Sequence, residues 1–344
     1  MVATAEAHVA SMPREFDPRR LTRRAAEVAA VIAVLVAVVV LAPGLGDVRD
    51  RLRDASPGWL VAAVVFEVLS SLSYVLIFRP VFCSAMAWRS AIEIGLTEVG
   101  AGSVIPASGA GGVALGAWIL SRAGMPARVI ARRSVAFLLL KSSVNFVAVV
   151  VVGVLVFAHV LGPSQPVTLT LVPAGLAALT IAAVALLPRL PDAGPPPPDA
   201  GRLRRAWTAT RETLIRGTSE AGVLLRRSGP ALWVGVVGYW AWDNLTLWAA
   251  FRAVGPAPGA SVILLGYLIG QLGGLLPIPG GIGGIDGGLI GTLVVYGAPV
   301  AEVTAAVLAY RVILFWIPLI LGAAAFLALR RDMARPAGFV PCAE

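Results

Sequence analysis

Charge, cysteine, histidine and lysine are all scarce in this chain of 344 residues. Two cysteines, Cys83 and Cys342, are too few for a disulfide framework, and both fall in segments expected to face the cytoplasm. The two histidines, His8 and His159, are far apart in sequence and share no metal-ligand spacing. No nucleotide-binding motif is present, and no nucleophile–base constellation points to an enzyme. Neither a cofactor nor a metal is therefore expected. Lys141 is the only lysine, so arginine supplies every other fixed positive charge. Charged residues make up only 14% of the chain.

Apolar residues fill the space that charge leaves. They form 58% of the chain, and the mean hydropathy is +0.84. A soluble domain cannot hide that much apolar surface, so the composition predicts an all-α polytopic membrane protein. The net charge of +9 could suggest nucleic acid. It sits in loops beside apolar spans, where the bias toward cytoplasmic arginine accounts for it without a nucleic-acid partner. Membrane lipids with anionic headgroups are the expected partners. The sequence leaves the oligomeric state open.

The chain is organised around GYLIGQLGGLLPIPGGIGGIDGG, residues Gly266 to Gly288. Pro277 and Pro279 lack backbone donors and disfavour helix at the residue before each. Gly280, Gly281, Gly283 and Gly284 let the chain reverse and approach another backbone. Non-helical backbone survives in hydrocarbon only where protein buries it or a watery cavity meets it. A broken apolar segment with one acid, Asp286, just past the break reads as the lining of a site.

A second copy strengthens that reading. Adding 171 to Gly95, Gly102, Pro106, Gly109, Gly112 and Gly116 gives Gly266, Gly273, Pro277, Gly280, Gly283 and Gly287. Six matches in one register, with a proline among them, predict an internal duplication. Residues 1–24 are expected to be a polar cytoplasmic tail. Residues 25–187 form a first membrane half with a hairpin at 91–120. Residues 188–229 are a Pro- and Arg-rich cytoplasmic linker, with a stretch that could lie as an amphipathic helix on the inner leaflet. Residues 230–330 form a second half with a hairpin at 260–295, and residues 331–344 a cytoplasmic tail.

Six full spans are expected, at about 26–41, 59–78, 135–160, 167–187, 231–251 and 303–329, a length that fits the ~20 residues of a crossing. Each hairpin arm is about 15 residues, or roughly 22 Å of helix, short of a roughly 30 Å crossing. The sequence therefore predicts two re-entrant hairpins. With the N-terminus inside, the cytoplasmic loops receive Arg122 to Arg133, the arginines of 189–227, and Arg330 to Arg335, as the positive-inside bias demands. A cleaved signal peptide is not expected, because the polar N-terminal stretch is long and a second span follows directly. The first hairpin then enters from the cytoplasm and the second from outside, which makes the halves inverted.

Seven ionisable residues fall within apolar segments: Glu67, Glu93, Glu98, Lys141, Asp243, Asp286 and Arg311. Each would cost on the order of 2.5–3.5 kcal/mol at a lipid-facing helix centre. They must face one another or a wet cavity, as structural ion pairs or as a site. The cations follow the repeat, since Lys141 lies 29 residues after Gly112 and Arg311 lies 28 after Gly283. Half-helix N-termini after Gly112 and Gly284 add free N–H groups. Candidate substrate-binding residues are Lys141, Arg311, Asp286, Asp243, Glu98 and Tyr310. Pro106, Gly109, Gly112, Pro277, Pro279, Gly280 and Gly283 would shape the hairpin backbones.

PIPGGIGGIDGGLIGTLVVYG followed by AVLAYRVILFWIPLILG resembles the lysylphosphatidylglycerol synthetase transmembrane-region family. These are flippase-like integral membrane proteins, related to the N-terminal membrane domain of the multiple peptide resistance factor. SVIPASGAGGVALGAWILSRAGMP is similar to that family's first hairpin. The resemblance covers about residues 25 to 330. Asp286 matches an acid that usually follows the second glycine run, where glutamate is commoner, and Arg311 matches the arginine of the last span. The first hairpin departs from the pattern, because an arginine often found after its glycine run is replaced around Leu115 and Gly116. No aminoacyl-transferase domain follows in this sequence, so synthesis of a lysyl-lipid is not expected.

The resemblance implies a translocase of a phospholipid or lipid-linked anionic headgroup in the bacterial cytoplasmic membrane. An ion- or proton-coupled transporter of a small soluble anion fits inverted repeats with midplane charges equally well. A membrane-embedded enzyme and a scaffold whose charges only pair helices are further alternatives.

Overall fold

Proline at the first helical position starts both helices at the centre of the fold. Its fixed φ suits a first turn, and its missing N–H is one that a helix start leaves unpaired anyway. The computed structural model describes residues 18–41, 45–104, 110–161, 166–191, 201–270 and 284–333. The two central helices are numbered within the chain order α1 (Pro18–Leu41), α2 (Gly46–Arg53), α3 (Pro57–Phe82), α4 (Trp88–Val104), α5 (Ala110–Arg122) and α6 (Ala127–Phe157). There follow α7 (Val167–Leu186), a 3-10 turn (Leu187–Arg189), α8 (Arg202–Arg227), α9 (Pro230–Val254), α10 (Ala260–Gly270), α11 (Gly284–Val295) and α12 (Val300–Met333). No strand occurs among the described residues.

Helices α3 and α9 cross antiparallel and form the most extensive helix pair. Trp59 meets Trp248 edge-on at 5.1 Å, and Phe66 stacks on Trp242 at 5.8 Å. Further along, the Ser70 hydroxyl donates to the Tyr239 carbonyl at 3.2 Å. Gly235 and Gly238 let the backbones close: a Cβ on Gly235 would lie 3.0 Å from the Ile77 nitrogen, and one on Gly238 2.8 Å from Ser73 Oγ. Small residues drive such contacts in lipid, where burial of apolar surface between helices contributes little.

The other contacts repeat when the halves are exchanged. If α3–α6 are swapped with α9–α12, the pairing of α4 with α12 becomes that of α10 with α6, and both occur. The same holds for α3 with α6 against α9 with α12, and for α3 with α12 against α9 with α6. Each hairpin pair, α4 with α5 and α10 with α11, packs on itself. The matched glycines nevertheless serve different neighbours. Gly95 faces Val75 of α3, whereas Gly266 faces Leu293 of α11. Register specifies position along the chain, and the packed face depends on side chains that differ between the two segments.

The two ends of the bundle differ in charge. At one end Arg89 pairs with Asp332 at 3.2 Å, Arg132 and Arg133 hold Glu220, and Arg133 donates to the Phe82 carbonyl. At the other end the Ser56 amide donates to the Ala253 carbonyl at 2.8 Å, and Arg51 pairs with Glu302 at 2.8 Å. Helix α4 starts at the arginine-rich end, where Arg89 pairs with Asp332, and α10 starts at the opposite end, shortly after residues 253–256.

The end of α4 and the start of α11 both lie near the middle of α12. Val104, the last residue of α4, is buried with Phe315 against Val312 and Leu319. Asp286, in the first turn of α11, pairs with Arg311. The arms contain 17, 13, 11 and 12 residues. At 1.5 Å per residue the longest is about 25 Å, short of the roughly 30 Å hydrocarbon core.

Among the described helices, four are long and apolar enough to cross a membrane: α3, α6, α12, and α7 with its 3-10 turn. The sequence predicts six. Helix α1 has 24 residues: Arg19, Arg20, Arg23 and Arg24 occupy its first two turns, and the stretch from Val28 to Leu41 that follows is apolar throughout, so the expected span at 26–41 stands as an apolar helix. It starts at Pro18, inside the expected tail, because proline suits the first turn and Arg23 pairs with Glu27 one turn on. Helix α9 has 25 residues, yet Asp243, Asn244, Arg252 and several glycines and tryptophans dilute its apolar character. The charged segment between α1 and α3 contains helix α2, with Asp47 in its first turn and Arg51 and Arg53 in its last, each favourable to the helix dipole. Residues 202–227 form the helix that the linker's spacing allowed.

Candidate functional site

All but one of the charged residues of the apolar interior fall in two clusters, one centred on each half. In the first, α4 carries Glu98, which is 1% exposed and accepts a 2.8 Å hydrogen bond from the Tyr74 hydroxyl of α3. Lys141 of α6 lies close enough to act electrostatically on Glu98, but forms no ion pair with it. Its Nζ instead lies 5.6 Å from the ring centroids of both Tyr74 and Tyr239. Two aromatic faces attract a cation by about 0.5–2 kcal/mol each, more when water is excluded. Glu98 Oε1 is buried with no hydrogen-bond donor among the described residues.

The second cluster is larger. Asp243 of α9 accepts from two phenols, the Tyr267 hydroxyl of α10 on one oxygen and the Tyr310 hydroxyl of α12, at 2.8 Å, on the other. Arg311 of α12 pairs with Asp286 of α11 through both its Nε and a terminal nitrogen. Its charge also reaches Asp243. Glu67 of α3 is 4% exposed and faces Asp243 across the central crossing. Tyr239 borders both clusters, with Lys141 over its ring and Asp243 and Glu67 as its electrostatic neighbours.

All six candidate side chains therefore lie in these clusters, divided between them. Lys141 and Glu98 belong to the first; Arg311, Asp286, Asp243 and Tyr310 to the second. Glu93 stands apart, paired at 2.9 Å with Arg89 near the arginine-rich end. Of the hairpin residues, Gly112 is described: a Cβ there would lie 2.1 Å from the Glu98 carbonyl oxygen, so glycine permits the α4–α5 contact. Pro106, Gly109, Pro277, Pro279, Gly280 and Gly283 lie outside the described residues.

Sequence reasoning missed Tyr74, Tyr239 and Tyr267. The chain has five tyrosines, and four of them surround the two clusters. A signal was available, because a phenol buried in an apolar span needs a polar partner. No group of His, Cys, Asp and Glu side chains with metal-binding arrangement occurs among the described residues.

A surface concavity of about 730 Å³ lies elsewhere, at the end opposite the arginines. Asp47, Asp50, Asp54, Arg51 and Arg252 line it together with residues 253–256. It contains none of the buried cluster residues. Arg51 is already engaged by Glu302, and Arg252 lies over the Trp59 ring at 5.4 Å. The buried clusters, which bring together side chains from both halves, are the stronger candidate.

Comparison with known proteins places the chain among membrane proteins. Two relatives, each named UPF0104 membrane protein, come from Methanothermobacter thermautotrophicus. One is 35% identical over 98 residues, which is 28% of this chain and 28% of that protein. The other is 33% identical over 85 residues, 24% of this chain and 25% of the relative. The matched stretch thus spans only about a quarter of either relative. The family model described as lysylphosphatidylglycerol synthase TM region matches residues 27–322, from α1 well into α12. By that match the chain belongs to the lysylphosphatidylglycerol synthase TM region family, and it is a multi-pass membrane protein.

Proposed function

We propose that this protein translocates a phospholipid or lipid-linked anionic headgroup across a cytoplasmic membrane, by alternating access around the two charged clusters. The observation that carries the reading is that the end of α4 and the first turn of α11 both reach the middle of α12, where Asp286 meets Arg311. Buried charge at mid-depth is expensive and marks substrate pathways. Broken helices that bring such charge together from two repeats recur in transporters. In this reading the hairpins are re-entrant, the halves 25–187 and 230–330 are inverted repeats, and the arginine-rich end faces the cytoplasm with both termini. The chain supplies no catalytic step and needs no cofactor.

The test is reconstitution in liposomes containing phospholipids labelled on the headgroup, with loss of outer-leaflet label read by an impermeant quencher. Transfer of anionic lipid above that of protein-free vesicles is expected, and Arg311→Ala should abolish it. Uptake of a small soluble anion into the same vesicles, with no lipid transfer, would replace this reading with the soluble-anion transporter.

A further inference from the structure

Helices α3 and α9 are each other's counterparts, so the seam between them joins the two halves. Glu67 and Asp243 face one another on that seam. The flanking contacts fix the alignment, with Phe66 on Trp242 to one side and Ser70 bonded to Tyr239 on the other. Both carboxylates are buried, at 4% and 8% exposure.

Their surroundings are unequal. Asp243 has a phenol donor on each oxygen, and the charge of Arg311 also reaches it. Each of these partners favours its ionised form, and Glu67 has no equivalent among the described residues. Glu67 Oε2 is buried with no hydrogen-bond partner among the described residues. The groups around the pair are Tyr239 on α9, Tyr267 on α10, and Tyr310 and Arg311 on α12. Arg311 is itself paired with Asp286 of α11. Lys141 of α6 lies beyond the Tyr239 ring. No cation is therefore dedicated to Glu67 among the described residues. A second anion beside Asp243 would carry both a large desolvation cost and a like-charge cost, whereas a neutral carboxylic acid carries no like-charge cost and a much smaller desolvation cost.

We propose that Glu67 is a proton-binding residue, held protonated beside the Asp243 anion, and that its proton couples translocation to the proton gradient. The coupling half of this proposal rests on the translocase reading above. The chemistry is two proton transfers: the Glu67 carboxylate takes a proton from hydronium on one side, releasing water, and becomes a carboxylic acid. It returns that proton to water on the other side, and no other bond changes. A site on the seam between halves is well placed for this, because motion of one half against the other would alter its access to water.

Two measurements test the proposal on the full chain. Infrared spectroscopy of the protein in lipid nanodiscs at neutral pH reads the carbonyl band of protonated carboxyl groups. Glu67→Gln, which keeps the shape of the neutral acid, should remove the intensity of one carboxyl group from that band. In liposomes, an imposed pH gradient should speed wild-type lipid transfer several-fold. Glu67→Gln should transfer lipid at one rate with or without the gradient. An unchanged infrared band in Glu67→Gln would overturn proton binding by Glu67. Wild-type transfer that ignores the gradient would overturn the coupling. If wild-type vesicles move no lipid under any gradient, the translocase reading fails instead, and the infrared band still decides the proton site. Asp243→Asn provides the second variant, in which the band of the buried Glu67 acid should persist; loss of one carboxyl group of intensity there, with none lost in Glu67→Gln, would assign the proton to Asp243 and overturn the proposal.

Discussion

Oε1 of Glu98 lies where a side chain at Gly116 would begin: a Cβ on Gly116 would come within 1.3 Å of it. The carboxylate cannot swing away cheaply, because it is 1% exposed and bonded to Tyr74. Gly116→Ala should therefore destabilise the protein by about 1–3 kcal/mol, the range for overpacking a close-packed interior. Adding Glu98→Ala should restore part of that loss. Gly287, its match in the second hairpin, has nothing within 4 Å, so Gly287→Ala should be neutral or stabilising by up to about 1 kcal/mol through helix propensity. Thermal unfolding in detergent measures all three. Equal responses at 116 and 287 would show that the clash at Gly116 is relieved by repacking.

A second glycine contact joins the halves. A Cβ on Gly100 of α4 would lie 2.7 Å from the Gly322 Cα of α12, and a Cβ on Gly322 would lie 2.6 Å from the Gly100 Cα. Here backbone meets backbone, and neither can yield without moving a helix. Alanine at either position should lower stability by about 1–3 kcal/mol, and leucine should prevent folding. Gly175 of α7, with nothing within 4 Å, supplies the control. Tolerance of leucine at 322 would mean that α4 and α12 are not locked together.

How far the sequence reached depends on what kind of information each feature needs. Composition alone gives an all-helical membrane protein, because apolar excess leaves no other solution. The proximity of Asp286 and Arg311 follows from charge economy: an interior acid and an interior cation behind the same hairpin have few other partners. The tyrosines were not legible in that way. A phenol is tolerated at a membrane interface as well as in a core, so its position along a span does not reveal its partner. The start of α1 at Pro18 was masked by arginines that read as a polar tail, although arginine is a good helix former. The matched glycines marked the hairpins, but Gly95 and Gly266 pack on different helices, which no repeat register encodes.

The charge difference between the ends predicts sidedness. A single cysteine at Asp50 should react with an impermeant thiol reagent in intact cells, in a background lacking Cys83 and Cys342. A single cysteine at Arg128 should react only after the membrane is opened. Asp50 lies in α2 beside the α9 C-terminus, and Arg128 lies at the start of α6 among the arginines. Reaction of Arg128→Cys alone in intact cells would reverse the orientation.

The Asp286–Arg311 pair distinguishes a structural role from a binding role. Both side chains are largely buried, at 14% and 9% exposure, so removing either partner alone should cost about 3–5 kcal/mol by leaving a charge uncompensated. Exchanging them, Asp286→Arg with Arg311→Asp, keeps the pair and should recover most of that stability. The two roles then separate in transport. If the pair only holds α11 to α12, the exchanged protein should translocate as well as wild type. If Arg311 also receives an anionic headgroup, the exchanged protein should fold and yet remain inactive, because the cation has moved from α12 to the hairpin. Arg311→Lys should fall between these, since it keeps the charge but loses the planar fork that engages two oxygens at once. The expected result is a folded, inactive exchange variant and a partly active lysine variant. Full lipid transfer by the exchange variant would assign Arg311 to helix pairing alone.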